Sequence, residues 1–250
     1  MQVVVRALGI LRSVAAAETP VSIADLSVQL QLPPPTVHRF LSVLAEQGFV
    51  AKDEQNRRYS AGPEVARLVA AQRTAKLPEV AQPVLEWLSQ RFDETVFVAA
   101  RAEERAVCVS VLESSHPLRL NLLAGDVLPW HAAASARSIL AFLPEGSAAR
   151  LIHAQGMDRF TSNTPQSLAE VDRHLVQLRA RGYDVCDDEL DSGVWAAAAP
   201  ILSPHGEVVG SVTLGAPGGR LATENVRAEV IGAVREAATK IAGATGAMPG

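Results

Sequence analysis

The sequence predicts an α+β protein in two parts: a small winged helix-turn-helix unit, then a larger domain with an antiparallel sheet flanked by helices. Three observations carry this reading. Three helical patterns precede two short extended runs within residues 1–62. From residue 95 onward apolar strands come in pairs, with amphipathic helices between and after them, the pattern of an α+β domain. The charge is also uneven: residues 1–75 hold 8 Lys and Arg against 6 Asp and Glu, and residues 76–250 hold 15 against 21. A mildly basic head on an acidic body suggests two jobs. The expected division is the winged helix-turn-helix unit over 1–62, a linker helix over 63–76 and the larger α+β domain over 77–250.

Val4, Ala7, Leu8, Leu11 and Val14 mark a first helix. Ser22 can cap the next, with Asp25 answering as in a capping box. A turn at Gln31-Leu32 leads to Pro33, Pro34 and Pro35. Proline suits the first turn of a helix, and the residue before a proline avoids the helical region, so this run keeps the third helix from fusing with the second. Val37, Phe40, Leu41 and Leu44 then give one apolar stripe, and Gly48 ends the helix. Phe49–Lys52 and Arg58–Ala61, around the polar Asp53–Asn56, read as a hairpin.

A linking helix is expected over Glu64–Arg73 and a separate proline-marked one over Pro83–Phe92. Thr95–Ala100 and Ala106–Leu112 read as strands, and Leu118–Leu123 alternates like a third before Gly125-Asp126 breaks it. Helices follow over Ser135–Phe142 and Leu168–Arg181, the latter with Leu168, Val171, Leu175 and Leu178 inward. Val194–Leu202 and Val208–Leu214 form another strand pair turning through Ser203–Glu207. A last helix runs from about Thr223 to Ile241, and Ala244–Gly250 reads as a loose tail.

Apolar residues make up 48% of the 250 and charged ones 20%, which supports a sizeable core and argues against disorder. No apolar run of 18 or more residues suggests a membrane span, and the N-terminus lacks the pattern of a signal peptide. The two cysteines, Cys108 and Cys186, fit a reduced, cytoplasmic protein.

A winged helix-turn-helix lays its second motif helix in the major groove of DNA and sets its wing beside the backbone. On that reading Arg39 faces a base edge or phosphate, with Thr36, His38 and Ser42 around it, and Arg57 and Arg58 on the wing meet phosphates. The plainer alternative is that such motifs occur in proteins that never touch DNA, with Arg39 a solvated surface arginine.

The residues that follow one another as Leu32-Pro33, T36-V-H-R39, G48-F-V50, Arg58-Tyr59, Gly62-Pro63, H116-P-L-R119, Gly125-Asp126, Pro129, His131-Ala132, Gly182-Tyr183, D187-D-E189, Gly193-Val194, A198-A-P-I201 and Gly206 resemble the IclR family of bacterial transcription regulators over essentially the whole chain. The resemblance implies a GAF-like C-terminal domain that binds a small metabolite. It also implies a homodimer or dimer of dimers on double-stranded operator DNA, often at a catabolic operon. Departures stand out. Pro34-Pro35 replace a frequent Lys-Ser, Gln31 replaces a glycine, Cys186 replaces an acidic residue, Ala196 replaces a cysteine, and Thr213 and Gly215 replace paired serines.

The resemblance assembles an effector site from Leu120, Leu122, Leu128, His131, Ala132, Ala133, Cys186, Ala196, Thr213 and Gly215. The altered positions favour an aromatic or other organic acid over a very small keto acid. Each residue also has a plainer role: the leucines as core, His131 as a structural hydrogen-bonding group, Cys186 as an inert apolar group, and Asp187, Asp188 and Glu189 as a solvated turn. Neither a Cys186–His131 nucleophile pair nor a metal site from His131, Cys186 and Asp187 has a supporting signature. No phosphate loop or dinucleotide fingerprint is present. The expectation is therefore no enzyme and no cofactor. The alternative is a metabolite sensor that acts through a protein partner without sequence-specific DNA binding.

Overall fold

The chain divides into two compact units, Met1–Gln72 and Arg73–Gly250, of which the computed structural model describes residues 2–246. In the first, α1 (Gln2–Ala16), α2 (Ile23–Leu30) and α3 (Pro34–Glu46) precede a hairpin of β1 (Val50–Asp53) and β2 (Arg58–Ala61). Ile10, Val14, Leu26, Val37, Leu41, Val50 and Tyr59 form its buried core. The capping box is present: the Asp25 amide donates to Ser22 Oγ, and the Ser22 amide donates to the Asp25 carboxylate. Ser22→Ala is expected to cost this unit about 1 kcal/mol, read as a lower urea midpoint.

Gln31 caps α2 in the left-handed region at φ 53°, the backbone state that a glycine would take without cost. Ser27 Oγ bonds the Leu32 carbonyl at 2.5 Å and helps hold this turn. Tyr59 also pairs with Val21 through two backbone hydrogen bonds, which ties the wing to the segment before α2. Gly62 is needed where it stands, because a Cβ there would lie 2.2 Å from the Gly48 carbonyl oxygen.

The second unit carries a six-stranded antiparallel sheet in the order β5-β4-β3-β8-β7-β6. Its strands are β3 (Thr95–Ala102), β4 (Arg105–Leu112), β5 (Val127–Leu128), β6 (Asp184–Asp187), β7 (Val194–Leu202) and β8 (Val208–Pro217). Helices cover both faces. Leu77, Ala81, Leu85 and Leu88 of α4 (Pro63–Phe92) and Val230, Val234 and Ile241 of α8 (Glu224–Gly246) pack with Val96, Val98, Ala197, Ala199, Val212 and Leu214. On the other face, α5 (Ala134–Leu140), α6 (Ser147–Gln155) and α7 (Leu168–Arg181) pack on Phe97, Ala99, Ala106, Cys108, Leu128 and Trp130. Period-two alternation along β3 splits these sets, and along β7 it separates Ala197 and Ala199 from Ala196 and Ala198.

Four expectations are corrected. The two helices expected over 64–73 and 83–92 are one helix, α4, with Pro78 and Pro83 inside it. Each proline removes an i→i−4 bond. The fully buried stripe of Leu77, Ala81, Leu85 and Leu88 offsets that loss. Residues 118–123 are not a strand, because the edge of β4 is taken instead by Gly125, Asp126 and β5: the Gly125 amide donates to the Cys108 carbonyl and the Cys108 amide to the Asp126 carbonyl. Ala244–Gly246 belong to α8, and the rest of the expected tail, 247–250, lies outside the described residues. Glu189 is buried rather than part of a solvated turn.

Candidate DNA-contacting face and effector site

Pro33, Pro34 and Pro35 shape what the start of α3 can do. Pro34 and Pro35 carry no N–H, and the Thr36 and Val37 amides both bond the Pro33 carbonyl. The backbone at this helix start therefore has little to offer a phosphate. Side chains must make the contacts. His38 and Arg39 are exposed, and Arg39 makes no hydrogen bond or ion pair among the described residues. Thr36 is half-buried, and Ser42 Oγ donates to the His38 carbonyl at 3.0 Å, within the helix.

The two wing arginines differ. Arg57 sits exposed at the hairpin turn with φ 52° and has no partner among the described residues. Arg58 is engaged inside the unit: its Nη1 donates to the Pro20 carbonyl at 2.8 Å and lies 3.9 Å from Asp25 Oδ2. The Asp53 carboxylate orders the turn by accepting from the Gln55 and Asn56 amides and from Asn56 Nδ2, and these bonds hold its pKa below the usual value.

Eight of the ten expected effector residues fall in two places, and Ala132 and Ala133 lie in neither. Cys186, Ala196 and Gly215 form one row across β6, β7 and β8, with Cys186 opposite Ala196 and Ala196 opposite Gly215. Thr213 lies two positions along β8, opposite Ala198. Leu120 closes this row from outside, since a Cβ on Gly215 would meet Leu120 Cδ2 at 2.7 Å and Ala196 Cβ at 3.4 Å. Thr213 Oγ1 is buried and has no hydrogen-bond partner among the described residues.

Leu122, Leu128 and His131 instead line an open cleft of about 440 Å³, with Phe160 and Leu190. Leu190 also packs against Cys186, Ala196 and Ala198, so it borders both places. Ala132 and Ala133 are buried just before α5, and the Ala133 amide is already given to the Pro129 carbonyl. Burial pushes the Cys186 thiol up to about 11, so it stays protonated at neutral pH.

Of the residues that hold these places together, Arg137 and Asp184 were not singled out from sequence. Arg137 of α5 is fully buried. Its Nε donates to Asp184 Oδ2 and its Nη1 to Glu189 Oε2, both at 2.5 Å. The same Nη1 donates to the His131 carbonyl at 2.9 Å, and Nη2 donates to the Val185 carbonyl at 3.0 Å. One side chain thus joins α5, β6, the segment before α5 and the loop after β6. Burial opposes the Asp184 charge, but Arg137 and His174 beside it outweigh burial and hold its pKa below the usual value. At Glu189 burial wins and pushes the pKa up against the pull of Arg137. Thr161 Oγ1 and Thr164 Oγ1 bond the Asp188 and Glu189 carbonyls at 2.6 Å, anchoring the same loop. The available signal was a lone arginine in the small apolar run A132-A-A-S-A-R-S-I-L140.

Comparison with known proteins agrees with this architecture. Residues 3–54 match the IclR helix-turn-helix domain, and residues 69–243 match the bacterial transcriptional regulator IclR C-terminal domain. The chain is 28% identical to the transcriptional repressor IclR of Escherichia coli (strain K12), over 94% of this chain and 88% of that one. The crystal structure of the Thermotoga maritima IclR superposes with a TM-score of 0.64 at 23% identity, covering 98% of this chain and 99% of that one. That of an IclR homologue from Microbacterium hydrocarbonoxydans complexed with 4-hydroxybenzoate does so with 0.63 at 20% identity, covering 98% and 100%. The chain belongs to the IclR family of transcription regulators, with a helix-turn-helix DNA-binding domain followed by an effector-binding C-terminal domain.

Proposed function

We propose that this chain acts as a homodimer or dimer of dimers on double-stranded operator DNA, and that a small metabolite in its second unit sets operator binding or activity. A catabolic operon is the expected setting. The observation that carries the DNA contact is Arg39, exposed at the start of α3 and without a partner among the described residues. Arg39 would read base edges or phosphate beside Thr36, His38 and Ser42, while Arg57 meets phosphate from the wing. Arg58 would act mainly by holding the wing to the Pro20 carbonyl. One head covers only a short half-site, so a palindromic operator calls for two. The exposed Val4, Val5 and Leu8 on α1 support such pairing, because apolar side chains grouped on one surface mark interaction sites.

The effector proposed for the row of Cys186, Ala196 and Gly215 is an aromatic or other organic acid. Its apolar body would take the place of Leu120, and its polar end would meet Thr213 Oγ1. The small apolar row and the unpartnered hydroxyl support this. The homologue holding 4-hydroxybenzoate indicates that the fold accommodates such a molecule. Leu122, Leu128, His131, Ala132 and Ala133 would form and support the adjoining wall.

A protonated Cys186 favours a regulator over an enzyme using that thiol. Among the described residues no helix is long and apolar enough to cross a membrane, in keeping with a proposed cytoplasmic location.

A gel shift with the DNA upstream of the protein's own gene, with light scattering on the complex, tests the reading. The expected result is a sequence-specific complex holding two or four chains. Retardation of every duplex alike, or none, would favour the rival in which the sensor acts through a protein partner.

A further inference from the structure

We propose that the open cleft beside His131 is a separate binding site for a small organic cation, a protonated amine on an apolar or aromatic body. Cys186, Ala196, Thr213 and Gly215 do not line this cleft, so it is distinct from the sheet-face row assigned to the effector. The inference does not rest on operator binding.

Charge is the first argument. Asp126, Asp158 and Asp191 all line the cleft, and among the described residues no lysine or arginine does. The Asp126 carboxylate accepts from the Leu123 amide at 2.8 Å. The Asp158 and Asp191 carboxylates have no hydrogen bond or ion pair among the described residues. A cleft lined by one sign of charge concentrates ligands of the opposite sign and disfavours anions.

His131 supplies an independent argument. It is 1% exposed, and its Nε2 lies 2.9 Å from the Asp158 carbonyl. A carbonyl only accepts, so Nε2 carries the proton, and in the neutral ring Nδ1 is left as an acceptor. Nδ1 is buried and has no partner among the described residues. A cleft with a buried unmet acceptor and two free carboxylates calls for a ligand rich in donors, and an ammonium group has three.

The third argument is the apolar surface. The Phe160 ring stacks on His131 at 5.8 Å between centroids and is itself 45% exposed. An exposed ring face attracts a cation. Leu122, Leu128 and Leu190 offer the surface for the ligand's apolar body.

Isothermal titration of the full chain with 2-phenylethylamine, and with its neutral counterpart 2-phenylethanol, tests the site. The amine is expected to bind saturably, one per chain, and at least about tenfold more tightly than the alcohol. In Asp158→Asn/Asp191→Asn this preference is expected to disappear, with the melting temperature unchanged because neither carboxylate has a partner among the described residues. Phe160→Ala is expected to weaken the amine separately, and Gly215→Val to leave it alone. Absence of saturable amine binding at millimolar concentration, equal binding of amine and alcohol, or a preference that survives loss of both carboxylates would overturn the proposal. None of these outcomes changes what the gel shift reports about DNA.

Discussion

Arg137→Met is expected to destabilise the second unit by about 3–5 kcal/mol, the largest single effect on stability anticipated for this chain. The substitution keeps an unbranched side chain of similar reach but removes the cation. Asp184, fully buried, then loses its Nε partner, and Glu189 loses Nη1. The His131 and Val185 carbonyls lose donors as well. Asp184 keeps Arg181 Nη2 at 3.0 Å and His174 Nδ1 at 3.5 Å, which argues for a loss within this range rather than above it. Urea unfolding followed by far-ultraviolet circular dichroism measures it. A loss under about 1 kcal/mol would mean that the buried network adds nothing an apolar side chain cannot replace.

Gly215→Val is expected to abolish effector response while leaving operator binding at the wild-type level. The new side chain enters space that Leu120 Cδ2 now fills at 2.7 Å from where Cβ would stand. The blocking atom is the end of a leucine on an irregular segment, so the backbone of β8 need not move. Leu120 swings away, valine takes its place, and the row above Ala196 is closed to a ligand. Ala196→Leu should do the same from β7, because a filled site cannot absorb extra atoms cheaply. Calorimetry with aromatic acids, beside an operator titration for each variant, separates loss of response from loss of fold. Full response in both variants would place the effector elsewhere.

Much of this architecture was legible in the residues, and the reasons differ by element. The α7 bounds, Leu168–Arg181, follow directly from the apolar spacing of Leu168, Val171, Leu175 and Leu178. The Ser22–Asp25 box was likewise readable, because its bonds join residues three apart. Non-local pairing was less accessible. The alternation of Leu118–Leu123 imitates a strand, yet which segment completes the β4 edge depends on the bonds Cys108 makes with Gly125 and Asp126. Strand β6 is only four residues and carries two aspartates, so Asp184 looks like surface until Arg137 is seen beside it.

Local rules also misplaced α4, where Pro83 was read as the start of a new helix and tertiary burial overrides it. The candidate effector residues came from family resemblance, and periodicity alone would have assigned most of them to the core. The structure separates them into a sheet-face row and a cleft, a division that depends on strand register and on where the irregular Leu120 segment lies.

The central claim is that α3 reads an operator through Arg39. Fluorescence anisotropy of wild type and Arg39→Ala, titrated against a duplex from upstream of the protein's own gene at several salt concentrations, tests it most directly. If the guanidinium reads a guanine, the variant should lose about 1–3 kcal/mol of specific affinity and discriminate less between the operator and a scrambled duplex. An Arg39→Ala protein that binds the operator as tightly and as selectively as wild type would contradict the account.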